Sequence, residues 1–100
     1  MHLETQDTIL VVSGIQELTA VNATEAKTKI KEALNEIHTR IDVDLSSTRF
    51  IDSSGLGVLI GLHKAMATKK GSIRIVNPTD SVQQVFELTR LHRLFEIVNS

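Results

Sequence analysis

Alternating strand and helix signals predict an α/β layer fold with strands that are at least partly parallel. Two observations carry that prediction. Apolar, β-branched or alternating runs stand at 8–12, 41–45 and 73–76. Amphipathic stretches with helical spacing separate them. Length bounds it: 100 residues make one domain, residues 1–100, with chain enough to bury roughly two-thirds of its unfolded surface.

Thr8-Ile9-Leu10-Val11-Val12 is rich in β-branched residues and reads as a buried strand. A shorter extended segment around Leu3–Thr5 pairs with it through a turn at Gln6-Asp7. The first helix has Asn22 as N-cap and Glu25 three residues later, the spacing of a capping box. Ala23, Ala26, Ile30, Ala33, Leu34 and Ile37 then keep helical spacing, with lysines and glutamates opposite, and the helix is expected to end near His38. Ile41-Asp42-Val43-Asp44-Leu45 alternates apolar and acidic residues, as a strand does. Ser46–Arg49 is a loop and Phe50-Ile51 a short apolar pair. A second helix runs from near Ser53 to about Thr68, where Lys69-Lys70-Gly71 supplies the basic residues and glycine that suit a helix C-terminus. Ile73–Val76 is the next strand. After the turn Asn77-Pro78-Thr79-Asp80, a third helix is capped by Thr79 or Asp80, with Val82, Val85, Phe86 and Thr89 as its inner stripe. Leu91, Leu94, Phe95 and Ile97 close the chain as a short helix leading to a short strand.

Composition removes several function classes. No cysteine is present, which excludes a disulfide scaffold, thiolate catalysis and a Cys-ligated zinc site. No apolar run approaches the ~18 residues of a membrane span, and Met1-His2-Leu3-Glu4 is no signal peptide, so the expected address is the cytoplasm with no membrane partner. Eleven basic and twelve acidic side chains give a net charge of −1, and the three aromatics are all Phe. Nucleic acid is therefore disfavoured as a partner, on both phosphate-binding and base-stacking grounds.

The informative stretch is Phe50-Ile51-Asp52-Ser53-Ser54-Gly55-Leu56-Gly57-Val58-Leu59-Ile60-Gly61-Leu62. Asp-Ser-Ser is a plausible N-cap run, and capping alone is its plainest reading. Yet Gly55, Gly57 and Gly61 each cost roughly 1 kcal/mol against alanine inside a helix, which points to a close approach by something else. At helical spacing, Leu56, Leu59, Ile60, His63, Met66 and Ala67 share the face that packs on the sheet. Gly57, Val58, Gly61, Leu62 and Ala65 fall opposite, on an apolar, flat face. That face is either covered by another helix or docks another protein. A phosphoryl group on the adjacent serines would be tolerated by the helix N-terminus, but would set about −1.5 to −2 charges beside Asp52 and the docking face.

Other chemistry is weaker. Asp44 and Asp52 suit a loop-amide acceptor and a helix cap better than an acid–base or metal pair. Gly55-Leu-Gly57-Val-Leu-Ile-Gly61 is not a dinucleotide or P-loop motif, and no Gly-x-Ser-x-Gly elbow surrounds Ser53. His2, His38, His63 and His92 are scattered, and His63 reads as a core histidine. No catalytic residue, metal or cofactor is expected.

The 50–59 segment resembles the signature of bacterial anti-sigma-factor antagonists of the STAS family. Ile41–Ser46, Ile73–Asn77, Val82–Thr89 and Leu91–Ile97 resemble its flanking elements, so the likeness covers about residues 8–98. It implies a single STAS-like domain: a mixed sheet of four to five strands with three to four helices. It also implies a non-enzymatic, monomeric partner switch. The unmodified form binds an anti-sigma factor with serine kinase activity and so releases the sigma factor. Phosphorylation then ends binding, and a PP2C-type serine phosphatase resets it. The phosphoacceptor carried over is Ser53, with Ser54 as second choice. Asp52, Ser54, Gly55, Leu56, Gly57, Val58, Gly61, Leu62 and Asn22 fall in the partner interface. The alternative is a STAS subunit of a lipid-transport or stress-sensing assembly with no phosphorylation cycle. Two departures stand out. Gly14–Thr19 is stretched, with Thr19 where the family has an acid, and Arg90 occupies a place that is often glycine.

Overall fold

The computed structural model describes residues 1–100. Its elements in chain order are β1 (His2–Gln6), β2 (Ile9–Ser13), β3 (Glu17–Leu18), α1 (Ala23–Ala33), β4 (Arg40–Asp44), β5 (Phe50–Ile51), α2 (Ser53–Thr68), β6 (Ser72–Val76), α3 (Asp80–Leu88), a 3-10 turn (Leu91–Arg93) and β7 (Glu96–Val98). Five strands form the main sheet in the order β1-β2-β4-β6-β7. β1 runs antiparallel to β2, and the other three pairings are parallel, so the mixed sheet expected from the sequence is present. The hairpin turn falls on Asp7-Thr8, one residue later than expected, because Gln6 pairs with Ile9. Asp7 accepts a φ of 56° there, a left-handed turn conformation that Asp tolerates.

Strand alternation builds the core. Leu10, Val12, Ile41, Val43, Ile73 and Ile75 face one side of the sheet and are all buried. Against that layer pack Ile30 of α1, Leu56, Leu59, Leu62 and Met66 of α2, and Val82 and Phe86 of α3. The opposite side holds the intervening residues, which are mostly half-buried or exposed because no helix covers them. The exception is Asp42, which is 8% exposed. Arg40 reaches it with Nε at 2.7 Å and Nη2 at 3.2 Å, and Arg74 of β6 with Nη2 at 2.9 Å and Nε at 3.2 Å. Two forked guanidinium groups thus satisfy one carboxylate and tie neighbouring strands together.

Four expectations need correction. The sequence places Glu17-Leu18 in a stretched loop; the two residues pair in parallel with Phe50-Ile51 in a second, two-stranded sheet. Asn22 precedes α1 but its side chain makes no cap bond, because Asn22 Oδ1 accepts the Thr19 N–H (2.9 Å) and Nδ2 donates to Glu17 O (2.7 Å). Glu25 likewise pairs with Lys29 at 2.8 Å instead of closing a capping box. α1 ends at Ala33, well before His38, with Leu34 already extended. His38 is instead fully buried, its Nδ1 accepting the Asn35 N–H (3.1 Å) and its Nε2 bonded to Thr5 Oγ1 (2.9 Å). Ile37, past the helix end, is 55% exposed.

The remaining elements follow the sequence closely. α2 begins at Ser53 and ends at Thr68. Thr79 caps α3, its Oγ1 accepting the Val82 N–H at 3.4 Å. Arg90 lies at φ 62°, in the left-handed region that glycine enters without steric cost, which explains why a glycine suits that place.

Candidate functional site

The site forms where the β3–α1 loop meets the start of α2. Asp52 is extended at φ −118°, ψ −172° and caps α2, its Oδ1 accepting the Gly55 N–H at 3.0 Å. Its other oxygen, Oδ2, accepts the Ala20 N–H from the loop, also at 3.0 Å. One carboxylate therefore fixes both the helix start and the loop. These donors, Ala20 N–H foremost and Gly55 N–H next, hold the Asp52 carboxyl below the usual aspartate range. The Asp52 N–H in turn donates to Leu18 O at 3.3 Å.

Gly55 explains how close the two segments come. A Cβ at Gly55 would stand 2.0 Å from Leu18 O and 2.9 Å from Ile51 Cγ1, so only glycine lets α2 rest on the β3–β5 pair. Gly57 is the opposite case, with nothing within 4 Å of where its Cβ would be. At Gly61 the Lys27 Cε and Nζ lie 3.5 Å from the Cβ position, so the lysine stem drapes over that turn of the helix.

Ser53 and Ser54 are both exposed. Neither lines the cleft of about 520 Å³ between the β3–β5 pair and α1, which is walled by Glu17, Asn22, Arg49 and Phe50 among others. An exposed pair of hydroxyls outside the cleft suits a surface that another protein grasps rather than a small-molecule pocket.

The expected docking face needs correction. Val58 and Leu62 are 4% and 0% exposed, and Gly55 and Leu56 are buried as well. α2 lies between the sheet and α1, so two of its flanks are covered and the alternative that another helix covers that face holds for Val58 and Leu62. The surface that remains open is Ser53, Ser54, Gly57 and, half-buried, Asp52 and Gly61. Asn22 is half-buried and bonds within its own loop. Sequence reasoning passed over Ala20 and Val21, which stand beside Asp52; Val21 is 86% exposed. Asp44 does not join Asp52, and its Oδ1 accepts the Ser46 N–H at 2.9 Å. His63 is half-buried and meets Phe95 edge to face, with ring centroids 6.0 Å apart.

A family model of the STAS domain matches residues 1–100. A Thermotoga maritima protein described as a candidate anti-sigma factor antagonist is 30% identical over 95 residues, spanning 94% of this chain and 84% of that protein. The anti-sigma-B factor antagonist of Listeria monocytogenes is 31% identical over 75 residues, spanning 71% of this chain and 66% of that protein. Among solved structures, the anti-sigma factor antagonist SpoIIAA in its unphosphorylated form superposes with a TM-score of 0.85 at 24% identity, over 99% of this chain and 86% of that one. Phosphorylated SpoIIAA, described as a Bacillus cell fate determinant, gives a TM-score of 0.78 at 23% identity, over 99% of this chain and 89% of that one. With a family match over residues 1–100 and a 30% identical relative across 94% of the chain, the chain belongs to the STAS domain family, beside relatives named anti-sigma factor antagonists.

Proposed function

We propose that this chain is an anti-sigma factor antagonist. Its unmodified α2 start docks on an anti-sigma factor with serine kinase activity, which frees the sigma factor. Phosphorylation of Ser53 by that kinase ends the docking, and a PP2C-type phosphatase reverses it. In this reading the chain performs no chemistry and is itself the substrate.

The observation that carries the reading is an exposed Ser53 beside a carboxylate already committed to backbone N–H groups. A phosphoryl group on Ser53 would add about −1.5 to −2 charges next to Asp52, which is ionised at neutral pH. The donors that a helix start normally offers an anion are partly used: Gly55 N–H binds Asp52 Oδ1, and Leu56 N–H binds Asp52 O at 2.9 Å. No acidic residue stands in the first turn of α2, and that turn, Ser53-Ser54-Gly55-Leu56, holds no cation either. The added charge is thus left facing the partner, where it opposes docking without disturbing the core.

The test is capture with wild-type and Ser53→Asp baits, read by mass spectrometry, followed by phosphorylation with the recovered kinase. Wild type should retain an anti-sigma factor of the serine-kinase type, Ser53→Asp should lose it, and label should map to Ser53. Label only at other residues, or equal capture by both baits of a transport or stress-sensing assembly, overturns the reading.

A further inference from the structure

We propose that Val21 is the apolar anchor of this interface, inserting into an apolar pocket of the kinase-type anti-sigma factor whose rim carries carboxylates facing Lys27 and Lys64. This rests on the reading of the α2 start as the docking site, and deepens it by naming the chemistry of the partner surface.

Val21 is 86% exposed; among the large apolar side chains only Leu88, at 85%, is as open. A β-branched residue is an unusual choice for a loop tip, where Gly, Asn, Asp and Ser predominate. Nor is this tip loosely held. The Val21 N–H donates to Thr19 Oγ1 (3.3 Å), the Ala20 N–H to Asp52 (3.0 Å) and the Asn22 N–H to Thr19 O (3.1 Å). The Asn22 side chain braces the loop from below through Thr19 N–H and Glu17 O. Valine also has a stiff χ1. Backbone and side chain are therefore ordered before any partner arrives, which removes much of the entropy cost of burying the residue in an interface.

The bracing carboxylate belongs to Asp52, the residue before Ser53, so the loop is tied through Ala20 to the start of α2. From there the open surface continues over bare Gly57 to Gly61. Lys27 lies across Gly61, and Lys64 is exposed one helical turn further along the same strip. Neither lysine has a carboxylate within 4.0 Å, whereas Lys29 of α1 is paired with Glu25. An apolar centre with a cationic rim is complementary to an apolar pocket with an anionic rim.

The experiment is calorimetric titration of the purified kinase-type anti-sigma factor, identified by the capture above, into wild type, Val21→Ser, Val21→Thr, Val21→Ile and Ser53→Asp, with stopped-flow association of wild type and a Lys27→Glu, Lys64→Glu double variant beside it. Val21→Ser should weaken Kd by about tenfold or more, as truncation of an interface anchor does. Val21→Thr, which keeps the shape and exchanges one methyl for a hydroxyl, should weaken it by about threefold, and Val21→Ile should stay close to wild type. In the stopped-flow measurement, Lys27→Glu with Lys64→Glu should lower the association rate most at low salt, so that added salt slows wild type but no longer slows the variant; equal rates for the two at low salt overturn the anionic rim. Melting temperatures should not move with the Val21 substitutions, since the side chain stands in water. If Val21→Ser and Val21→Thr bind like wild type while Ser53→Asp is weakened, the anchor is wrong and the docking reading survives. If Ser53→Asp binds as well as wild type, the docking reading falls and takes the anchor with it.

Discussion

Two aspartates show how differently this molecule treats its uncovered sheet face and the start of α2. Asp42, on the sheet face, is held by two arginines and is 8% exposed. Asp52, at the helix start, is held by backbone N–H groups from two segments, with no cation among its bonds. Both carboxylates are satisfied, so neither marks a defect. The difference lies in what each leaves for a newcomer. Around Asp42 positive charge exceeds negative, and the strands it ties are finished structure. Around Asp52 the negative charge is neutralised by no side chain, and every further negative charge adds to it. A surface built the second way is stable yet sensitive to modification, which is what a charge-operated docking site requires.

That contrast can be broken or sharpened at four positions. The largest effect belongs to Gly55→Ala. Its Cβ would stand 2.0 Å from a backbone oxygen that cannot swing away, so α2 must lift off the β3–β5 pair, at a cost of about 3 kcal/mol or more in urea unfolding. Next is Asp42→Asn, which leaves two mostly buried guanidinium groups unpaired. It should cost about 2 kcal/mol in the same measurement and leave anti-sigma factor binding unchanged. Asp52→Asn should reverse that pattern, with a smaller loss of stability and a larger change in docking. Because the folded Asp52 carboxyl titrates below its ordinary value, its contribution is present above the unfolded pKa of about 3.9 and disappears as pH falls towards the folded one. The stability gap between wild type and Asp52→Asn should thus be constant above about pH 5 and close below about pH 4. The smallest effect is Gly57→Ala, two residues from the largest. With open space around it, alanine should stabilise α2 by about 0.5–1 kcal/mol while weakening the partner's approach. Equal effects of the two glycine substitutions would remove the distinction between the covered and open flanks of α2.

Much of this was legible in the sequence where a local rule decides the outcome. The Asp52 cap, the basic stop at Lys69-Lys70 and the alternation of Ile41–Leu45 placed α2 and β4 closely, since each signal acts within a few residues. β3 was missed because a two-residue strand has no period, and only Phe50-Ile51, far along the chain, makes it one. Asn22 has the right identity for a cap, but the loop's own N–H and C=O groups claim its side chain first. Leu34 and Ile37 keep helical spacing and so suggest a longer α1, although the chain leaves the helix there and turns to bury His38, which bonds Thr5. The α2 face was misjudged for a geometric reason: the period reveals an apolar stripe but not how many neighbours the helix has, and α1 covers the second stripe. Ser53 stands out from the motif alone, whereas the loop at Ala20-Val21 comes to light only through the Ala20–Asp52 hydrogen bond, which spans 32 residues.

The way Asp52 spends the donors at the start of α2 has a kinetic consequence. A phosphate ester on Ser53 has Gly55 N–H already engaged elsewhere and no cation in its own helical turn to grip it. A hydrolase would reach it with no segment having to open first. The lifetime of the modified form would then follow from how often it meets a phosphatase, and its abundance from the balance of two enzyme activities. If Ser53 is phosphorylated as proposed, such a domain would keep no record of past stimulation: it would report the present ratio of writer to eraser, and forget as fast as the eraser works.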